Sequence, residues 1–170
     1  EYDIIILFMT QEGERRSSAR FSAGFETYLS SFTYKYGSDE MRKIWSQENS
    51  WIKARDVWIE VAGVQMEAGL VSPEEYQDLV DHRGQIDIET ILRREMDRED
   101  PRYTGHDIVA GISEFSDEAP IGGRILHKGL TSEDVLSNVE TLLIHDSLNV
   151  VEDRLKVALN GFAKRIEDHK

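Results

Sequence analysis

The sequence is 170 residues long, with 33 acidic and 20 basic side chains and a formal net charge of −13. Apolar residues make up 39% of it, which with this length suits one domain able to bury a sizeable core. The acidity argues against a general nucleic-acid binder, which needs a basic face. The absence of cysteine excludes disulfides, thiolate zinc sites and cysteine nucleophiles. An anionic substrate stays open, because a pocket can be locally positive on an acidic body.

The longest apolar run, Ile4 to Met9, is far short of the roughly 20 residues that a membrane span needs. Asp3 precedes it where a signal peptide would carry basic residues. The expectation is a soluble, cytoplasmic protein with no membrane and no nucleic-acid partner. Because the chain opens on Glu1 and ends on charged Lys170, it reads as a piece of something longer. Residues 1–24 read as an N-terminal arm or extension, with β-branched Ile4-Ile5-Ile6-Leu7-Phe8 suited to a short strand and a polar stretch after it.

From Ser38 onward the pattern is helical. Ser38 precedes Asp39 and Glu40, a cap followed by first-turn acids. Ser46 opens a longer segment with Trp51, Ala54, Trp58, Val61, Ala62 and Met66 on one face, stopped at Gly69. Ser72-Pro73-Glu74-Glu75 is a capping box with proline at the first helical position. Asp87 caps a helix carried by Ile88, Ile91, Leu92 and Met96, which Pro101 breaks. Asp107 to Phe115 forms another, followed by the Pro120 and double-glycine loop. Thr131-Ser132-Glu133-Asp134 then opens the longest element. Its apolar series of Val135, Val139, Leu142, Val151, Leu155, Leu159, Phe162 and Ile166 runs on without a proline. A helix from Ser132 to Lys170 would be on the order of 60 Å long. One small domain cannot cover it, so it needs other long helices beside it.

Three segments join reactive side chains to a glycine or a helix start. In Tyr34-Lys35-Tyr36-Gly37-Ser38, a lysine and a tyrosine before a helix suit an anion, or the tyrosine simply packs under a turn. In Thr104-Gly105-His106-Asp107, an imidazole beside a carboxylate suits proton exchange near neutral pH, or Asp107 caps the helix and His106 lies at the surface. In His127-Lys128-Gly129-Leu130-Thr131-Ser132, two hydroxyls at a helix start suit a carboxylate or phosphate, with His127 on the loop before them. The alternative is ordinary capping of Thr131 by Asp134. His82, His145 and His169 are isolated and read as surface or packing residues. No HExxH spacing, glycine-rich phosphate loop or GxSxG elbow occurs, and neither a metal nor a cofactor is expected.

In order and together, these segments resemble the adenylosuccinate lyases of the fumarase/aspartase superfamily, from about Phe25 to Lys170. The resemblance rests on Lys35-Tyr36-Gly37-Ser38-Asp39-Glu40-Met41 with Ile44-Trp45-Ser46-Gln47-Glu48-Asn49, on Gly105-His106-Asp107-Ile108-Val109-Ala110, and on His127 to Val135. It implies an all-α chain: a small helical domain over residues 25–130, then residues 131–170 as the first long helix of a fumarase/aspartase-type core. The implied activity is a carbon–nitrogen lyase of purine and AMP biosynthesis. It releases fumarate from adenylosuccinate, giving AMP, and from the corresponding succinyl-carboxamide ribotide. The implied assembly is a homotetramer whose active sites draw on three subunits.

By the same likeness, Lys35 and Tyr36 bind substrate near its phosphate, Gly105, His106 and Asp107 form a substrate-binding motif, and Thr131 and Ser132 hold a succinyl carboxylate. His106 and His127 assist proton movement, while the principal acid and base are expected outside these residues, so that the chain alone is inactive. Three positions depart from the family: Lys35 stands for an arginine, Gly105 for an arginine or asparagine, and Ser137 for an acid or amide. The alternatives are another fumarate-releasing lyase or carboxymuconate cycloisomerase of the superfamily, or a non-catalytic helical oligomerisation module.

Overall fold

The computed structural model describes residues 24–169. The arm expected at the N-terminus, with its strand at Ile4–Phe8, lies outside the described residues, Gly24 apart. The described residues form an all-α fold: α1 (Thr33–Tyr36), α2 (Asp39–Ile44), α3 (Gln47–Glu67), α4 (Pro73–Asp81), α5 (Ile88–Met96), α6 (Asp107–Glu118), a 3₁₀ turn (Gly123–Ile125) and α7 (Ser132–Asp168).

Local chemistry sets most of these boundaries. Ser38 accepts from the Met41 N–H at 3.2 Å, Ser46 from Asn49 at 3.1 Å and Asp87 from Thr90 at 3.0 Å. Ser72 accepts from Glu75 N–H at 3.2 Å, and the Glu75 carboxylate takes the Ser72 N–H at 2.8 Å, completing the capping box. Gly69, at φ 73, stops α3 in the left-handed conformation that glycine adopts without penalty. α6 runs to Glu118, three residues past the expected Phe115. The turn α1 was not legible as a helix; it starts where Ser30 and Thr33 exchange hydrogen bonds, Ser30 N–H to Thr33 Oγ1 at 2.6 Å and Thr33 N–H to Ser30 Oγ at 3.2 Å.

α3 is the central element. Ala54, Trp58, Ile59 and Ala62 are buried on it, as Leu79 is on α4, Phe115 on α6, and Val135, Val139 and Leu143 on the first half of α7. Trp51, Val61 and Met66, also expected on that face, are half-buried. A Cβ at Gly111 would lie 2.2 Å from the Trp51 ring, so α6 approaches α3 more closely than any side chain there would allow. On α5, Ile88 and Ile91 are buried and Leu92 half-buried, while Met96 is exposed.

Across the core, Arg55 donates to Glu114 Oε2 at 2.6 Å and to the His82 carbonyl at 2.7 Å, and its guanidinium lies 4.1 Å from the Phe115 ring centre. Glu114 Oε1 accepts the Asp87 N–H at 2.8 Å. Burial pushes the Glu114 carboxyl above the usual range and the Arg55 guanidinium below its own. Their mutual hydrogen bonds oppose that drift and tie α3, α5 and α6 together.

α7 is 37 residues long, about 56 Å at 1.5 Å per residue. Its first half packs on α3, with Trp45 Nε1–H donating to Ser147 Oγ at 2.9 Å. From Val151 to His169 every residue is exposed. Leu155, Leu159, Phe162 and Ile166 therefore form an apolar stripe with nothing against it among the described residues. No helix among the described residues is long and apolar enough to cross a membrane.

Candidate functional site

Two helix N-termini meet in this fold, those of α6 and α7. His106 is the residue before α6, extended at φ −149 and ψ 126, and its side chain makes no capping bond. Thr104 holds the backbone there: its hydroxyl accepts the His106 N–H at 3.2 Å and donates to the His106 carbonyl at 2.9 Å. Gly105 makes the approach possible. It stands at φ 64, and a Cβ on it would meet the Tyr103 hydroxyl at 2.8 Å.

Freed from capping, the His106 ring bridges two groups. Its Nδ1 lies 2.9 Å from Asp107 Oδ1, and its Nε2 lies 3.3 Å from Ser132 Oγ, the first residue of α7. Asp107 Oδ1 also accepts the Ile108 N–H at 2.6 Å. A carboxylate on Nδ1 keeps the proton on that nitrogen, leaving Nε2 of the neutral ring to accept from the Ser132 hydroxyl. The arrangement orients a serine oxygen between two positive helix ends.

Thr131 behaves differently. Its N–H and its hydroxyl both go to Asp134 Oδ2, at 2.7 and 3.2 Å. The capping reading of Thr131 is what the free chain displays, and Ser132 carries the hydroxyl aimed at the histidine. Four residues before Thr131, His127 adopts φ 62, and its Nδ1 accepts the Trp58 indole N–H at 3.2 Å. Gln65 steadies the same loop through the Lys128 carbonyl at 3.0 Å.

Lys35 and Tyr36 are not brought to this group. Both are exposed on α1, with the Lys35 ammonium 5.2 Å from the Tyr36 ring centre. The adjoining α2 lies against the middle of α7, where Arg154 donates to Glu40 at 3.2 Å. That is 22 residues along the helix from Ser132, or about 33 Å.

Of the isolated histidines, His82 is half-buried and pairs with Asp78, its Nδ1 3.3 Å from the carboxylate, while His145 and His169 are exposed. Among the described residues, no cluster of His, Cys, Asp or Glu is arranged to hold a metal. Sequence reasoning placed Trp58 on the apolar face and Thr104 in the His106 segment without the hydrogen bonds that they make, and it missed the Arg55–Glu114 pair. Arg55 left a trace, a charge four residues after Trp51 and three before Trp58, on the apolar face itself.

No protein-family model matches the chain. Among curated proteins it is similar to adenylosuccinate lyase of Methanocaldococcus jannaschii, 32% identical over 138 residues, covering 81% of this chain and 29% of that protein. It is 28% identical to adenylosuccinate lyase of Schistosoma mansoni over 147 residues, covering 86% of this chain and 29% of the relative. The Saccharomyces cerevisiae adenylosuccinate lyase is 26% identical over 148 residues, with 86% and 30% covered. The chain thus spans about three-tenths of the length of these relatives.

Proposed function

Since the chain is a sequence relative of the adenylosuccinate lyases, we propose that it supplies part of the substrate site of a lyase that releases fumarate from adenylosuccinate, leaving AMP, and from the succinyl-carboxamide ribotide. The observation that carries this reading is the Asp107–His106–Ser132 chain of hydrogen bonds at the meeting of two helix N-termini.

The reaction is a β-elimination. A base removes the proton next to a carboxylate, and an acid protonates the departing purine nitrogen. The difficult species is a carbanion whose charge spreads onto that carboxylate. Donors already fixed in place stabilise it with little reorganisation. The first turn of α7 supplies backbone donors and a dipole of the right sign, and Ser132 adds its hydroxyl when its one proton turns from His106 Nε2 to the ligand. His106 and His127 assist, Gly105 lets the backbone come close, and Thr131 offers its groups if a substrate carboxylate displaces Asp134.

Lys35 and Tyr36 serve the phosphate end in this reading, with lysine acting as a point charge where arginine would offer a fork. Their separation from Ser132 along α7 supports sites shared between subunits of a homotetramer. So does the exposed stripe of α7, which offers an apolar face to further long helices of a central bundle beginning near residue 131. The cytoplasmic location belongs to the same proposal.

Calorimetry tests it. Adenylosuccinate, AMP and fumarate are expected to bind the wild-type chain and to lose affinity in H106A and S132A. Binding of argininosuccinate with none of adenylosuccinate would overturn the reading.

A further inference from the structure

Trp58 sits in the middle of α3 at 2% exposure, with its ring 6.3 Å from that of Phe115. Its one polar atom, the indole N–H, donates to His127 Nδ1 at 3.2 Å, with the two rings edge to face at 82°. An indole nitrogen only donates. The imidazole nitrogen that it meets therefore carries no proton, and the proton of the neutral ring resides on Nε2. Among the described residues, no hydrogen bond is made to that Nε2. The backbone shares in the arrangement. His127 holds a left-handed φ of 62, which a residue with a Cβ keeps only where surrounding contacts enforce it.

We propose that Trp58 is a positioning residue for His127, fixing the neutral imidazole as an Nε2–H donor for an anionic ligand oxygen and withholding Nδ1 from proton abstraction. This rests on the reading of His127 as part of the substrate site. It adds which ring atom meets the ligand and which buried residue decides it. The two site histidines then have opposite polarity. Asp107 holds the proton of His106 on Nδ1 and leaves its Nε2 to accept from Ser132. Trp58 does the reverse at His127, so one ring receives a hydrogen bond from the site and the other gives one to its occupant.

Nitrogen NMR of the uniformly ¹⁵N-labelled chain, at a pH where the rings are neutral, tests the assignment. A coupling across the hydrogen bond is expected between Trp58 Nε1 and His127 Nδ1, with the proton of His127 on Nε2. W58F is expected to lose the coupling and to give a mixture of His127 tautomers while circular dichroism stays helical. Absence of the coupling in the wild-type chain, or a proton on His127 Nδ1, overturns the proposal whether or not W58F folds. Fumarate then separates this proposal from the reading beneath it. Movement of the His127 Nε2 signal, with affinity about tenfold weaker in W58F, supports it. Movement at His106 alone overturns the role given to Trp58 and His127 and keeps the lyase reading. Movement at neither ring overturns the lyase reading, and the ligand role of His127 with it.

Discussion

The Ser132 hydroxyl lies 3.3 Å from His106 Nε2, whereas the hydroxyl of its neighbour Thr131 goes to Asp134 at 3.2 Å. Adjacent residues thus have different tasks. In the lyase proposed above, S132A is expected to lower kcat/KM by about 10²-fold, the scale of losing one donor to the developing charge. Its unfolding free energy should stay within about 0.5 kcal/mol of wild type. T131A is expected to lose about 1 kcal/mol of stability through the cap. Steady-state assays and urea unfolding of both variants make the comparison.

At Gly105 the constraint is the backbone first and the neighbour second. G105A is expected to destabilise by about 1–2 kcal/mol, because φ 64 disfavours a Cβ. G105N should cost less, asparagine being enriched in that conformation. Removing the crowding hydroxyl in Y103F/G105A should recover only part of the loss. Full recovery in denaturant melts would show that Tyr103, and not φ, is the constraint.

The buried pair of Arg55 and Glu114 predicts an asymmetry between single and double replacements. R55M or E114L alone leaves a buried charge without its partner and is expected to cost about 3–5 kcal/mol. R55M/E114L together should recover much of that, since apolar groups of similar volume can replace a buried pair. The carbonyls of His82 and Arg83, which Arg55 also serves, and the Asp87 N–H, which Glu114 accepts, set the part that is not recovered.

Stability should fall in acid for an identifiable reason. The Thr90 N–H and hydroxyl hold the Asp87 carboxyl below its ordinary range, and Lys53, 2.8 Å from Asp146, does the same there. A folded-state pKa below the unfolded value of about 3.9 contributes stability above that value and loses it as pH falls through the folded one. Glu114, raised by burial, has the opposite sign: its share is present at low pH and is lost as pH rises through its raised value. D146N is expected to cost under about 1 kcal/mol at pH 7, and the cost is expected to shrink as pH falls through the lowered folded-state value of Asp146, read from urea melts across pH.

The exposed half of α7 predicts association. Sedimentation of the wild-type chain is expected to show oligomers, and L155Q/L159Q/F162Q to be monomeric with its helicity retained. A wild-type chain that stays monomeric at high concentration would count against sites shared between its copies.

Helix starts were legible in the sequence because they are written in neighbouring residues. Ser38, Ser46, Ser72 and Asp87 each cap a helix three residues from the donor that they satisfy. The excess length of α7 was legible for the same reason, as an apolar series with no breaker. The site's wiring was not. Ser132 and His106 are 26 positions apart, Arg55 and Glu114 are 59 apart, and Trp58 and His127 are 69 apart. No local pattern marks such pairs, whose partners are chosen by how α3, α6 and α7 pack. Trp58 in particular reads as core from its spacing, and its one polar atom takes meaning only once the loop before α7 closes over it.

The carboxylate of Asp134, lodged on Thr131 just before the long helix, makes the chain its own competitor for incoming anions. A visitor that brings only charge must displace a tethered group of equal charge and gains little by doing so. One that also engages Ser132 and the His106 imidazole gains what Asp134 cannot offer from where it sits. In the site proposed here, selectivity at this helix start is thereby shifted from the sign of the ligand to its outline and hydrogen-bonding pattern, on a protein of net charge −13.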